Sequence, residues 1–297
     1  MPRFRKIFCP VDFSEHSMRA YQLALSVASH YGARLLVQHV VELWRYPCAD
    51  FAPSPELMEG FYRTLRERGE EKLQQLVQTC AYNEVRTESV VQGKSAPDYI
   101  LAFAEDQNVD LIVMGTHGRR GFNKLMLGSV TERVMRNASC PVLTVNKRSH
   151  DFIGSDQRLG PVHLSRVLFC TDLSESSRQA LDHAISLTTE YEAELTLMHV
   201  LEDTPAPPKV HDAVATAIER LDGLIPPETH KAGKVETKTT VRIGKPYQQI
   251  IQLAMEAQTD LVIMAVRGRG TLDLAVFGST TYRVIQFGPC PVLVVST

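Results

Sequence analysis

The amino-acid sequence predicts an α/β protein made of two tandem, doubly wound domains, each with a five-stranded, mostly parallel sheet and helices on both faces. The first observation is a long internal repeat: VDFSEHS (11–17) returns as TDLSESS (171–177), ARLLVQHVVE (33–42) as AELTLMHVLE (193–202), and DLIVMG (110–115) as DLVIMA (260–265). A repeat this long indicates a duplicated domain rather than a solenoid unit. The second observation is that short apolar runs alternate with longer amphipathic ones, which predicts parallel strands connected by helices.

In the first copy, three of the predicted strands are mostly apolar, as expected when helices cover both faces of a sheet. The strands are KIFCPV (6–11), ARLLVQHVV (33–41), VRTESVV (85–91), DLIVMG (110–115) and PVLTV (141–145). The apolar spacing between them predicts helices over 15–31, 56–81, 96–107 and 128–137. Ser14 is a typical N-cap for the first of these helices. The second copy repeats the plan with a shorter second helix, at 207–224.

The repeat and the chain length place the seam between the two copies. A chain of 297 residues suggests about two domains. The stretch between the copies is polar, contains Gly and Pro, and has no sustained apolar period, which is typical of a linker. We predict a first domain at 1–148, a linker at 149–164 and a second domain at 165–297.

Composition excludes several classes of function. The formal net charge is −2, which provides no basic surface for nucleic acid and no polybasic membrane anchor. No apolar run approaches about 18 residues, and the N-terminal segment does not resemble a signal peptide. The six cysteines form no CxxC pair, and we interpret Cys140 and Cys290 as small buried thiols. We therefore expect a soluble, cytoplasmic protein with no bound nucleic acid or membrane.

A glycine-containing segment after the fourth strand is the strongest candidate for a site. Gly115 and Gly118 follow that strand directly, and Gly128 and Ser129 come nine residues later at the start of the fourth helix. Glycine lets the backbone approach an anion closely, and the amides at a helix start attract phosphate oxygens. The segment between them carries a formal charge of +3 from Arg119, Arg120 and Lys124.

This spacing alone also fits a glycine-rich turn that binds nothing. It is neither a Walker A loop nor a GxGxxG fingerprint. Gly93-Lys94-Ser95 lacks the first glycine of a P-loop, so we interpret it as a strand-to-helix turn in which Ser95 caps the next helix.

Taken together, these residues resemble the ATP-binding signature of the universal stress protein family. The matching elements are Gly115-x2-Gly118-x9-Gly128-Ser129 after DLIVMG, Asp12 after the first strand, and His39-Val40 at the end of the second. The resemblance covers nearly the whole chain as two tandem domains. It implies a Rossmann-like fold of the adenine nucleotide alpha hydrolase type, and ATP accompanied by Mg²⁺.

The resemblance also implies which residues contact the nucleotide. Val11, Asp12 and Val40 fall on the adenine and ribose side, and the glycine segment falls on the phosphates; the full set is Val11, Asp12, Val40, Met114, Gly115, His117, Gly118, Gly128, Ser129, Val130 and Thr131. Asp12 also suits a helix start, and the two roles are compatible. We interpret His117 as a hydrogen-bonding residue rather than a base. We therefore predict no catalytic or metal-ligating side chain, and at most a slow ATPase.

The second copy departs from this pattern at its first glycine, which is Ala265. If that position requires a positive φ, alanine there costs roughly 1 kcal/mol or more. The charge of the segment also falls to +1, from Arg267, Arg269 and Asp273. A less complete set remains: Thr171, Asp172, Val200, Gly268, Gly278, Ser279 and Thr280. The second copy could bind ATP, bind another nucleotide, or serve as a scaffold.

We expect a stress-response regulator whose ATP occupancy changes its protein partners. The alternative is an interaction or scaffold module that binds no nucleotide. The apolar last strands, PVLTV (141–145) and PVLVVST (291–297), expose edges that favour pairing. By the resemblance they pair across a two-fold axis, giving an internal pseudo-dimer, and two chains then form a homodimer. The insert at 43–57, which the second copy lacks, could form a lid, a partner contact or a locally packed loop.

Overall fold

The computed structural model describes residues 4–42, 55–78, 84–92, 95–117, 127–146, 162–202, 209–226, 236–266 and 278–296. The first half contains β1 (Lys6–Pro10), α1 (Glu15–Tyr31), β2 (Arg34–Glu42), α2 (Pro55–Gln78), β3 (Val85–Gln92), α3 (Ala96–Asp106), β4 (Leu111–Gly115), α4 (Ser129–Asn137) and β5 (Val142–Val145). The second half contains β6 (Arg166–Cys170), α5 (Glu175–Tyr191), β7 (Glu194–Leu201), α6 (Lys209–Asp222), β8 (Thr237–Ile243), α7 (Pro246–Glu256), β9 (Leu261–Ala265), α8 (Ser279–Phe287) and β10 (Val292–Val295).

All ten strands belong to one sheet, in the order β3-β2-β1-β4-β5-β10-β9-β6-β7-β8. The strands within each half are parallel. Among the described strands, β5 and β10 are the pair that runs antiparallel, with Leu143 opposite Leu293. The predicted pairing of the two last strands is thus confirmed within a single chain. In each half the strand order reverses beside the first strand, which is where open α/β sheets bind ligands.

The hydrophobic core lies on both faces of this sheet and crosses the seam between the halves. Successive side chains of a strand face opposite sides. Ile7 and Val167 belong to one buried cluster, on the side of α1 and α5. Phe8 and Leu168 belong to the other, on the side of α3, α4, α7 and α8. Because both clusters contain residues of both halves, the two copies form one folded unit.

The predicted elements agree with the observed ones except at their ends. Helix α1 covers the predicted range, and the Ser14 hydroxyl accepts a hydrogen bond from the Ser17 amide at 3.3 Å, as expected for an N-cap. Helix α2 ends at Gln78 within the described residues, and the rest of its predicted range lies outside them. At the end of the predicted linker, Val162 and Leu164 are buried in the first cluster, so these residues belong to the core.

The insert is described only from Pro55 onward, where it enters α2. Residues 43–54 lie outside the described part of the chain, and the lid hypothesis remains a prediction. No helix in the described ranges has the length and apolar character needed to cross a bilayer.

Candidate functional site

The turn that leaves β1 is organised by Asp12. Its Oδ1 atom accepts a hydrogen bond from the Ser14 amide at 3.0 Å, and its own amide donates to Ser17 Oγ at 3.4 Å. Between them, Phe13 has a φ of 60°, in the left-handed region that few residues other than glycine adopt. The carboxylate therefore shapes the entry to α1, which is the structural role considered for Asp12 beside its ligand role.

The ends of β1 and β2 are held together by His39. Its Nδ1–H donates to the Val11 carbonyl at 2.8 Å, and the Val11 amide donates to the Gln38 carbonyl at 2.8 Å. In the second half, His199 makes the same bond to the Thr171 carbonyl at 2.8 Å. Both backbone polar groups of Val11 are therefore used within the sheet. The paired histidines support strand ends in both halves, whether or not a glycine segment follows.

Helix α4 begins next to the end of β4 and is hydrogen-bonded to it. The Gly128 amide donates to the Thr116 carbonyl at 2.8 Å, and the Thr131 hydroxyl donates to the Gly115 carbonyl at 2.8 Å. Gly128 is the N-cap, and within the described ranges no side chain caps the helix start. Ser129, the first helical residue, is exposed. The first turn thus presents backbone amides and the positive end of the helix dipole without competition from a capping side chain.

The structure gives a different reason for glycine at 115 from the one that the sequence suggested. A Cβ at this position would lie 2.6 Å from the carbonyl carbon and oxygen of His16, in the first turn of α1. The described glycines with positive φ are Gly32 and Gly244, so the conditional expectation of a positive φ at Gly115 is wrong. Glycine is needed here because α1 lies against the end of β4.

The Thr131 hydroxyl also differs from expectation. It is buried and donates to Gly115 rather than facing a ligand. Of the residues at the start of α4, Ser129 is the one whose hydroxyl is exposed on the surface. The phosphate contacts expected at this helix start therefore rest on the amides of its first turn and on Ser129.

Two histidines lie side by side where β4 meets α1. The ring centroids of His16 and His117 are 5.1 Å apart, and His117 Nδ1 is 3.0 Å from Thr116 Oγ1. Sequence reasoning identified His117 and missed His16. A comparison of the two copies could have identified His16, because the second copy has Ser176 and Arg267 in the places of His16 and His117. The histidine pair is therefore specific to the half with the intact glycine segment.

Acidic charge near the start of α4 is compensated locally. Glu132 lies in the first turn, where a free carboxylate would repel an anion, and it pairs with Arg136 one turn later at 2.6 Å. Within the described ranges, no three His, Cys, Asp or Glu side chains form a group that could hold a metal ion.

The remaining predicted residues support the site or fall outside the described ranges. Val40, Met114 and Val130 pack against the hydrophobic cluster on the α4 side of the sheet. The residues outside the description are Gly118, Arg119, Arg120, Lys124 and Gly268.

The second half repeats this geometry with looser contacts at its helix start. The Gly278 amide lies 3.4 Å from the Val266 carbonyl, and Thr281 Oγ1 lies 3.2 Å from the Ala265 carbonyl. In the part of the chain that the structure describes, helix α8 also has no side-chain cap. Ser279 is exposed.

The turn after β6 is more polar than its counterpart after β1. Asp172 repeats the bond of Asp12, accepting from the Ser174 amide at 3.0 Å. Thr171 replaces Val11, and its hydroxyl bonds Ser177 Oγ at 2.6 Å. Thr280 and Val200, the other predicted residues of this half, are half-buried. The position after the first strand, which is apolar in the first half, thus carries a hydroxyl in the second.

The fold and this geometry define a tandem α/β protein in which a helix with a glycine N-cap begins at the switch point of each half. The family model described as the universal stress protein family matches residues 3–146 and again residues 163–296. The chain therefore belongs to the universal stress protein family.

Relatives support this assignment, and a solved structure shows the same fold. A universal stress protein of Mycolicibacterium smegmatis is 26% identical over 310 residues, covering 97% of this chain and 96% of that protein. Universal stress protein MJ0531 of Methanocaldococcus jannaschii is 34% identical over 144 residues, covering 48% of this chain and 83% of that protein. The crystal structure of a universal stress protein from Archaeoglobus fulgidus has the same fold, with a TM-score of 0.69, 23% identity, and coverage of 98% and 96%.

Proposed function

We propose that this protein binds one ATP at the start of α4 and acts as a cytoplasmic, nucleotide-dependent regulator of the stress response. The observation that carries the proposal is the helix start itself: it lies at the switch point, its N-cap is a glycine, and no side chain among the described residues caps it. A helix N-terminus of this kind favours phosphate oxygens through its amides and its dipole. Family membership and the glycine spacing support the same assignment.

The chemistry available around this site favours binding over turnover. ATP brings a triphosphate and its Mg²⁺, which retains waters and prefers phosphate and carboxylate oxygens. Asp12 already accepts from the Ser14 amide, and His117 Nδ1 is within hydrogen-bond distance of Thr116 Oγ1. These side chains hold the site in place, so we propose at most slow hydrolysis and no dedicated catalytic base.

For the second half we propose a supporting role rather than a second ATP site. Its counterpart of Gly115 is Ala265, and its helix start is held to β9 by longer hydrogen bonds than those in the first half. We therefore expect one ATP per chain. A homodimer also remains a proposal, and sedimentation velocity of the purified protein tests it.

A charge at the first residue of each helix tests the ATP site. In Ser129→Glu, a carboxylate at the exposed helix start repels phosphate while remaining compatible with the helix dipole. The matched control is Ser279→Glu, the equivalent change in α8. By titration calorimetry we expect Ser129→Glu to weaken ATP binding at least about tenfold, and Ser279→Glu to leave it unchanged.

Two results would contradict the proposal in different ways. Equal ATP affinity for Ser129→Glu and the wild type would show that the start of α4 is not the phosphate site. A wild-type protein that retains no nucleotide on purification and shows no heat of ATP binding would favour the alternative, an interaction module without nucleotide.

A further inference from the structure

We propose that Tyr282, in the second half of the chain, is a positioning residue for the phosphate-binding helix start of the first half. The inference rests on the proposed function and names the part that the second half plays in it. The Leu127 amide donates a hydrogen bond to the Tyr282 hydroxyl at 3.1 Å. Leu127 immediately precedes Gly128, the N-cap of α4, so the hydroxyl holds the backbone at the entry to that helix.

The pairing of β5 with β10 makes this contact possible. It places α4 and α8 on the same face of the continuous sheet, where both contribute to one hydrophobic cluster. Leu127 is buried within that cluster, and the Tyr282 ring packs against it. The ring is thus fixed by packing, and its hydroxyl reaches across the seam to the Leu127 amide.

Helix α8 is itself anchored by the first half. Asn146, directly after β5, donates from Nδ2 to the Ile285 carbonyl at 3.0 Å and to the Gly288 carbonyl at 2.9 Å. The C-terminal end of α8 is therefore tied to β5, and its first turn is tied to Leu127. This closed set of contacts connects the end of β5, helix α8 and the start of α4.

The support is not reciprocal between the copies. Glu132 occupies the place in α4 that Tyr282 occupies in α8, and it pairs with Arg136 of its own helix. Ser296 corresponds to Asn146, and its buried hydroxyl has no hydrogen-bond partner within the described ranges. The contacts across the seam therefore support the start of α4, which belongs to the half whose glycine segment is intact.

A fixed entry to α4 affects phosphate binding through preorganisation. Amides already held in the bound geometry lose less conformational freedom when an anion binds. Without the hydroxyl, Leu127 and Gly128 become less ordered, and the amides of the first helical turn must be ordered on binding. By the contacts predicted from the sequence, the adenosine part of the ligand lies toward β1 and β2, so we expect its affinity to be independent of this contact.

The test compares Tyr282→Phe with Tyr247→Phe. The control also removes one tyrosine hydroxyl from the second half, at an exposed bond to Gln248. We expect Tyr282→Phe to weaken ATP binding about three- to tenfold, the worth of one lost hydrogen bond, and to leave adenosine binding unchanged. Hydrogen exchange of the Leu127 amide should accelerate by a similar factor. Tyr247→Phe should match the wild type in each measurement.

The outcomes separate this inference from the proposed function. If the wild type binds ATP and Tyr282→Phe binds it equally well, the positioning role is wrong. If Tyr282→Phe weakens ATP and adenosine by the same factor, the residue acts through the fold and the inference is also overturned. A wild type that binds no ATP overturns the proposed function, and the inference falls with it.

Discussion

The two copies place different residues at the left-handed turn that ends their first helix. After α1 the chain turns at Gly32, with a φ of 60°, whereas after α5 the same place is taken by Glu192, with a φ of 51°. Glycine adopts this left-handed conformation without a steric penalty, whereas in other residues the Cβ clashes with the backbone and raises the energy. The first copy thus ends its helix with less strain.

We predict that Gly32→Ala destabilises the protein by about 1 kcal/mol. An added Cβ there meets nothing within 4 Å, so the loss reports backbone strain alone. Gly60→Ala is the matched control, because its Cβ also meets nothing within 4 Å but Gly60 lies inside α2. That change should stabilise by about 0.5–1 kcal/mol. Urea unfolding measures both, and a neutral Gly32→Ala would refute the strain argument.

The buried cysteines provide a second prediction at this scale. Burial raises the pKa of the Cys140 and Cys290 thiols to about 12, and it also raises the pKa of Cys9 and Cys170. The thiolate is the reactive form, so at pH 8 about one thiol in ten thousand is reactive at a pKa near 12. The ionised fraction rises with pH and reaches one half where the pH equals that pKa.

We therefore expect these four cysteines to resist iodoacetamide at pH 8 in the folded protein and to react on unfolding. Intact-mass spectrometry measures the labelling. The experiment uses a Cys48→Ser, Cys80→Ser variant, because those two thiols lie outside the described residues. Rapid labelling of the folded variant would show that the burial is not maintained in solution.

At the scale of elements, the contact between β4 and α1 limits which amino acid can occupy position 115. The added Cβ of Gly115→Ala would meet the backbone of His16 at 2.6 Å, and a backbone atom cannot rotate away as a side chain can. The second half tolerates Ala265 at 7% exposure, so its α5 must leave room for that methyl group. The residue at the end of β4 or β9 therefore matches the space that the neighbouring helix leaves in that half.

We predict that Gly115→Ala destabilises the protein by about 1–3 kcal/mol through overpacking. The reciprocal change, Ala265→Gly, should cost less, at about 1–2 kcal/mol, because it removes one buried methyl group and adds backbone freedom to the unfolded chain. Urea unfolding of both variants checks the order. A larger loss for Ala265→Gly would contradict the packing argument. Gly115→Ala is for this reason a poor probe of ATP binding, and Ser129→Glu is a better one.

At the scale of the whole molecule, one sheet and two shared clusters make the duplicated chain a single unit. The seam is apolar where β5 meets β10 and polar where Asn146 meets α8. A further contact joins the ends of α1 and α5, where the His30 ring stacks on Tyr191 with centroids 4.5 Å apart. The second half therefore packs against the first as a partner domain within the same chain.

We predict that Asn146→Ala destabilises the whole protein by about 1–3 kcal/mol, because two carbonyls at the end of α8 lose their donor. Ser296→Ala is the matched change at the equivalent place. It removes a buried hydroxyl with no hydrogen-bond partner among the described residues, so it should be neutral or stabilising. Denaturant unfolding compares them. Equal losses for the two variants would contradict this account of the seam.

Much of this fold could be predicted from residues near one another in the sequence. The apolar runs and the cap at Ser14 predicted the strands and α1, because alternation and capping are local properties. The repeat predicted two copies of one plan. His16 was missed because a comparison of the two copies, or its proximity to His117 about a hundred positions away, is needed to identify it, and local patterns carry neither kind of information.

The sequence by itself determined the fold class, the duplication and the position of the candidate site at the strand ends, because each depends on composition and spacing along the chain. Only the tertiary structure decided that Gly115 makes room for α1, that Thr131 bonds β4, and that Tyr282 reaches the start of α4. These facts depend on distances between residues far apart in the chain, and packing alone sets those distances.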